Sequence, residues 1–320
     1  MSGSYKKTPL ADLDLSGLKT YSVFTRDCKV SSGELGTPYL GKSYLSDFVN
    51  GLPTILASRD FQEVAEAIVR ARGDGKGVLL GMGAHPLKVG LGPLLADAME
   101  SGILTGIATN GAAIIHDYEL ALLGRTSEDV GAALGSGLFG MAEETATALN
   151  GAIRDGTKVN EGIGLAVGRL IEEGMLPHTS SSIFATAYRC TIPATVHVAI
   201  GTDIIHMHPS CDGASTGAAT LSDFRLFARQ VAALDDGVFI NLGSAVIIPE
   251  IFLKAFSLAR NLGNPIANLT TVDMDFVQHY RPRVNVVQRP TSESGKGYSL
   301  VGHHEIMLPL LLATVKELME

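Results

Sequence analysis

The sequence predicts an α/β protein, a doubly wound parallel sheet with helices on both faces. Three observations carry that expectation. Short apolar runs end in glycine turns that open into helical patterns, and this unit recurs along the chain. Of 320 residues, 46% are hydrophobic while only 6% are aromatic and none is Trp. The core is therefore built from Ala, Val, Ile and Leu, the residues that fill parallel strands and the helices laid over them. The 36 glycines and 18% charged residues fit a packed globular chain and exclude collagen-like repeats and wholesale disorder.

Taken in order, residues 1–50 lack periodicity and read as an N-terminal arm or loop able to pack on a neighbouring subunit. Residues 51–320 read as a single domain with no linker inside it. The stretch DFQEVAEAIVRAR at 60–72 spaces Phe61, Val64, Ile68 and Val69 on one helical face, with Asp60 available as a cap. The run KGVLL at 76–80 is a short strand entering the turn GMGAHPLKVGLG, and a helix follows. Strand, glycine loop and helix in that order make the first unit of a Rossmann-like sheet.

The unit repeats as GIAT at 106–109 with a helix after Asn110 and Gly111, and as TIPATVHVAI at 191–200 with a helix at 221–234. Helices are also expected at 141–151 and 162–173. GVFINL at 237–242 is a buried strand entering a turn and helix. LTTVDMDF and VNVVQRP read as two further strands, and a helix at 308–319 closes the chain.

Charge narrows the function classes. With 25 Lys and Arg against 33 Asp and Glu, the net charge of −8 offers phosphate backbones no global attraction, so nucleic acid is not expected as a partner. No run of about 20 apolar residues crosses the sequence, so no membrane span is expected. Met1 to Leu10 lacks the apolar stretch of an export signal, and Cys28, Cys190 and Cys211 give no disulfide framework; a cytoplasmic protein is the expectation.

Where a strand ends in glycine and a helix begins, backbone N–H groups and the helix dipole favour an anion. Three turns qualify: Gly81 to His85, Thr109 to Ala112, and Asn241 to Ala245. None is a strict GxGxxG, and glycine also serves helix–sheet packing, but parallel strands place all such turns on one rim. Histidines and acids cluster after the same strands: His85, His116, Asp117, Asp203, His206, His208, Asp212, His303, His304 and Glu305. His197 falls inside a strand and reads as structural. His206, His208, His303 and Cys211 include the donor types of a zinc site, although no HExxH or paired CxxC is present. No GxSxG elbow occurs, and Ser244 suits ligand contact better than nucleophilic attack. Lys88 lies in the first turn and helix, able to pair a phosphate. Lys296, in SESGKGY, reads as a glycine-flanked loop lysine; in a dry cleft such an amine forms an imine with a carbonyl.

Four segments in one order resemble the deoxyhypusine synthase family: ATNGAAIIHDYE at 108–119, TIPATVHVAIGTD at 191–203, FINLGSAVIIPEIF at 239–252 and LVGHHEIMLPLLLATV at 300–315. The resemblance spans roughly residues 55 to 318. It implies a Rossmann-like fold, a homotetramer built as a dimer of dimers, NAD as cofactor, and oxidation of a C–N bond in an amine or polyamine to an imine that an active-site lysine accepts. Carried over by position, NAD contacts fall on Gly83, Ala84, Thr109, Gly111, Asp203, Gly243 and Ser244, with His85 and Asn110 in the same turns. The substrate end falls near His116, His206, Glu250 and His303, and Lys296 is the candidate for the imine.

The sequence departs from the family where its histidine falls on Pro249 or Glu250, where its closing acidic residue falls on His303, and where its tryptophan has no counterpart. The segment Asn110 to Glu119 is also similar to one in the archaeal-type NAD-dependent ornithine cyclodeaminases, which implies a free amino acid as substrate. The other readings are a metal-dependent hydrolase or lyase using His206, His208 and His303, and a nucleotide-binding relative without catalysis.

Overall fold

A computed structural model describes residues 14–42 and 44–320. Within them the chain forms one six-stranded sheet, β1 Val78–Met82, β2 Gly106–Asn110, β3 Ala194–His197, β4 Val238–Leu242, β5 Thr270–Asp275 and β6 Lys296–Val301. Every neighbouring pair is parallel and the order is β3-β2-β1-β4-β5-β6. The order reverses between β1 and β4, the place where such sheets open a crevice at their C-terminal ends.

The helices are α1 Leu45–Asn50, α2 Leu56–Gly73, α3 His85–Lys88, α4 Gly92–Glu100, α5 Gly111–Leu123, α6 Val130–Leu134, α7 Glu143–Lys158, α8 Ile163–Glu173, α9 Ile183–Arg189, α10 Gly213–Ala232, α11 Ile247–Asn261 and α12 His304–Met319. Alternation along each strand sorts the core into two. Val78, Leu80, Ile240, Val272 and Leu300 face the layer that includes α2, α4, α5, α8 and α12. Leu79, Ala108 and Phe239 face α10 and α11, where Phe239 stacks on Phe252 at 3.8 Å between ring centroids. Burial on both faces explains why the strands read as unbroken apolar runs.

Several elements differ from the sequence reading. Helix α2 begins at Leu56, so Asp60 lies inside it and is not its cap; α12 begins at His304; and α9 was not expected. The helix expected at 221–234 begins eight residues earlier, because the Asp212 carboxylate accepts the N–H groups of Ala214 and Ser215 and caps α10. VNVVQRP is not a strand: Pro282–Gln288 is a π-helix packed on α11, β5 and β6, with Val286 buried against the α11 layer. A short apolar run does not by itself separate a strand from a buried helical turn. Finally, Lys296 is not in a loop. It is the first residue of β6, paired in register with Thr270.

The described part of the arm holds two short 3-10 turns, Val23–Thr25 and Ser32–Glu34, before α1 packs on α12. Its large side chains stay in solvent, Phe24 being 95% and Leu40 89% exposed. No helix among the described residues is long and apolar enough to cross a membrane.

Candidate functional site

The C-terminal rim carries two groups of polar side chains, one on each side of the β1 turn. Over β2 and β3 lies a cavity of about 250 Å³, with the charged and titratable side chains of Lys88, His116, Glu119, Glu128 and Asp203 in its wall beside Ile115, Val130 and Phe139. Helix α5 brings His116 and Glu119 to it, three residues apart and so on one helical face. The Thr126 hydroxyl donates to Glu119 Oε2 at 2.5 Å and lies 2.8 Å from His116 Nδ1. Having given its proton to the carboxylate, that hydroxyl can only accept from His116. His116 therefore carries its hydrogen on Nδ1 and leaves Nε2 as a bare base. Burial, and then the Lys88 ammonium, hold His116 below the ordinary histidine value, so it stays neutral.

Asp203 follows β3 and is 7% exposed; burial raises its carboxyl above the usual range, against the nearby His206. It closes over the first turn of α5, where a Cβ on Gly111 would lie 2.2 Å from Asp203 Oδ2. This glycine is required by a neighbouring side chain. His206 has a different part from the base expected of it. Its Nδ1 accepts the N–H groups of Gly201 and Asp203, each at 3.2 Å, so the ring hydrogen is on Nε2, which is buried with no hydrogen-bond partner among the described residues. As an acceptor at Nδ1, His206 braces the 3-10 turn Ile204–His206.

Over β1, β4, β5 and β6 the second group forms. His85 Nδ1 is 2.9 Å from His304 Nδ1, and His304 Nε2 is 3.5 Å from Asp275 Oδ1. Phe276 lies beside all three histidines, stacked on His303 at 5.7 Å between centroids and 5.8 Å from the His304 ring. Lys88 joins the two groups, its charge acting on both His85 and His116.

The remaining expected residues divide clearly. Gly83 and Gly243 come back to back, with the Gly83 N–H donating to the Leu242 carbonyl at 3.3 Å. Ala84 leads into α3. Thr109 Oγ1 and Asn110 Oδ1 are buried at the end of β2 without partners among the described residues. Ser244 Oγ accepts the Ile248 N–H at 3.2 Å and so closes the first turn of α11. Glu250 accepts from Lys254, from Arg281 Nε at 3.1 Å and from Asn285 Nδ2 at 3.0 Å; Lys254 first, then Arg281, hold it below the usual carboxylate range, as an anion already occupied.

His303 is 67% exposed, with Glu305 at 3.9 Å. Lys296 is not brought to the others. At the start of β6 it belongs to the opposite rim, 68% exposed and 3.2 Å from Glu63 Oε2. His208 pairs with Glu143 at 3.0 Å, apart from His303. Among the described residues no three His, Cys, Asp or Glu side chains are grouped to hold a metal ion.

Sequence reasoning passed over Glu119, Thr126 and Asp275. The signal for the last was present, since Asp273 and Asp275 alternate within an otherwise apolar strand. Asp117, singled out for chemistry, is fully buried and caps α9 through Ser182 Oγ and the Ile183 and Phe184 N–H groups.

No model of a protein family matches the sequence, and no curated protein matches it. Solved structures do. A LOR/SDH-type protein of Methanococcus maripaludis S2 aligns with a TM-score of 0.51 at 18% identity, covering 94% of this chain and 74% of its own. A protein assigned as a deoxyhypusine synthase in Entamoeba histolytica aligns at 0.51 and 14%, covering 89% and 97%. The fold is that of the deoxyhypusine synthase-like proteins. AgrE, solved as a ternary complex with ornithine and NAD+, aligns at 0.53 and 15% over 82% of this chain, which spans about a third of the AgrE chain.

Proposed function

We propose that this chain is an NAD-dependent enzyme that oxidises the C–N bond of a small amine, with a free amino acid as the best-supported substrate. The observation that carries the reading is the cavity in which the bare Nε2 of His116 shares a wall with the Lys88 ammonium and the Asp203 and Glu128 carboxylates. Those charges complement a carboxylate and an ammonium group on one molecule. The volume of about 250 Å³ suits such a ligand, and is below the range of about 300 to 1,000 Å³ for larger ligands.

Asn110 Oδ1 and Thr109 Oγ1 are buried polar atoms left without partners at the end of β2. The turns at Gly83 and Gly243 pack against each other at the switch point, with the His304 ring over Gly243. These features fit a dinucleotide, which the Gly83–Ala84 backbone, Asn110 and Ser244 would hold. Bound there, it would supply the acceptor for a hydride from the carbon next to nitrogen.

The chain's own residues do the rest. Lys88 pairs the substrate carboxylate, and Asp203 with Glu128 attracts the ammonium. His116 Nε2 takes one proton from that ammonium, leaving a neutral amine whose lone pair can form the C=N bond as hydride departs. The Glu119–Thr126 pair keeps the imidazole in the required tautomer, and the Glu119 carboxylate offsets the positive charge the ring acquires. Ile115, Val130 and Phe139 form the apolar part of the wall around the reacting bond.

The neighbour solved with ornithine and NAD+ supports an amino acid over a polyamine. A cytoplasmic homotetramer accompanies this reading, with exposed Phe24, Leu40 and Tyr44 of the arm as its first candidate contacts. The test is a screen of amino acids and amines for reduced-nicotinamide absorbance. Formation with an amino acid, lost in His116→Gln, supports the reading; no turnover together with no NAD binding contradicts it.

A further inference from the structure

The group over β4 to β6 has no part in that scheme, yet its centre is buried. His304 is 1% exposed. Its ring enters the space above Gly243, where a Cβ would lie 2.3 Å from His304 Cε1, so the glycine of the LGS turn is what admits the imidazole. Its two nitrogens face different partners. Nε2 is 3.5 Å from the Asp275 carboxylate, which is fixed by accepting the Phe276 N–H at 2.8 Å.

A bare Nε2 would set a lone pair against a carboxylate, so the hydrogen belongs on Nε2 and His304 Nδ1 is an acceptor. The contact of 2.9 Å between the two Nδ1 atoms then requires His85 to be the donor. His85 is left with a bare Nε2, and its side chain, unlike those of His304 and Asp275, reaches solvent.

We propose that His85 is a second general base of this rim, one that activates water, with His304 and Asp275 as its positioning residues. Burial, then His304, and also Lys88, lower the pKa of His85, while Glu305 and Asp275 oppose them; the balance keeps the imidazole neutral. The inference rests on the proposed amine oxidation for its substrate, and gives it an outcome. His116 lines the cavity and His85, beyond its lining, faces water, so the proton transfers divide between them.

Hydride loss leaves an iminium, a carbon doubly bonded to a nitrogen that bears two hydrogens and the positive charge. Water adds to that carbon as His85 Nε2 takes one of the water protons, giving a neutral carbinolamine, with hydroxyl and amino groups on one carbon, and imidazolium. The imidazolium returns that proton to nitrogen. The C–N bond then breaks as nitrogen takes the hydroxyl proton, giving a carbonyl and an ammonium ion. Atoms and charge balance with water as the only co-reactant. The product is a 2-oxo acid and ammonium, with no transfer to a lysine.

Two measurements test this on dinucleotide-free protein, so that they can fail while NAD binding stands, or stand while it fails. The first is 15N NMR of the histidine rings, with His85 assigned by His85→Gln. The expected result is His85 protonated on Nδ1 in the wild type, predominantly on Nε2 in His304→Leu, and again on Nδ1 in His304→Gln, whose amide oxygen can accept. An Nε2–H tautomer in the wild type, or no change in His304→Leu, overturns the positioning roles.

The second is exchange of 18O from water into the carbonyl of pyruvate, which uses the same attack of water on a trigonal carbon. The wild type should accelerate exchange at least about tenfold over the exposed-site variant His85→Gln, the low end of general-base effects being larger than this. Equal rates overturn the water-activating role.

Discussion

The two rims of the sheet carry polar residues of similar types and use them differently. At the N-terminal rim, Lys296 pairs with Glu63 and Lys76 with Asp236, both in solvent and at 3.2 and 3.3 Å. Such pairs contribute about 0 to 1 kcal/mol; Lys296 and Lys76 only add to what Tyr298 and Asn268 do in holding Glu63 and Asp236 below the usual carboxylate range. At the C-terminal rim, His304, Asp203 and His206 are almost fully buried, hydrogen bonds fix the ring tautomers of His116 and His206, and buried atoms of Thr109 and Asn110 lack partners among the described residues. Parallel strands produce the asymmetry, because every strand delivers its last residue, and the start of the next helix, to the same side. A glycine-flanked lysine therefore means little until its rim is known.

The sharpest way to break that contrast is through turnover. If the C-terminal rim is the site, His116→Gln should lower kcat by about 10² to 10⁴, the usual range for a lost acid–base group. Lys296→Ala should leave kcat unchanged in the same assay of reduced-nicotinamide formation. A collapse of activity in Lys296→Ala would reverse the assignment of the rims.

Two glycines sharpen the contrast in stability. Gly75, before β1, and Gly243, after β4, have φ of 68° and 67°, conformations costly to any side chain. A Cβ on Gly75 would meet open space, whereas one on Gly243 would strike His304. Urea unfolding should show a loss of about 1 kcal/mol for Gly75→Ala, from backbone strain alone, and about 3 kcal/mol for Gly243→Ala, where overpacking adds to it.

Titration gives a smaller effect. Burial pushes the Asp273 carboxyl up to about 6, although Asn241 donates to it at 2.8 Å. A folded-state pKa above the unfolded value near 3.8 means that the folded protein keeps a proton the unfolded chain has lost. This group's contribution to stability is full below the unfolded value and is lost as pH rises through about 6. Asp273→Asn should therefore gain on the wild type between pH about 4 and 7 in urea midpoints, the range spanned by that shift. No gain across that range would mean that Asp273 is ionised throughout. In turnover, the acid limb should lie below the ordinary histidine value, because both His85 and His116 are held down.

The fold was legible because its signals are local. Strand, glycine and helix recur along the chain, and five of the six strands stand where apolar runs and turns place them. Pro282–Gln288 differs from the reading because Val284, Val286 and Val287 favour a strand by type, while in the fold the segment coils as a π-helix against α11, β5 and β6. The site was legible in part. His116 and Asp203 follow strands and do reach one cavity. The partners that give them chemistry, Thr126 for His116 and the backbone of Gly201 and Asp203 for His206, are set by loop geometry that has no periodic signature. The pairing of His85 with His304 spans 219 residues and needs the finished sheet.

The most direct test of the account is a titration of 15N-labelled protein with NAD, followed by amide chemical shifts. The account predicts a saturable response centred on Gly83, Asn110, Gly111 and Ser244, with Arg70, Gly295 and Lys296 unmoved. No saturation at millimolar NAD, or shifts confined to the opposite rim, would contradict it.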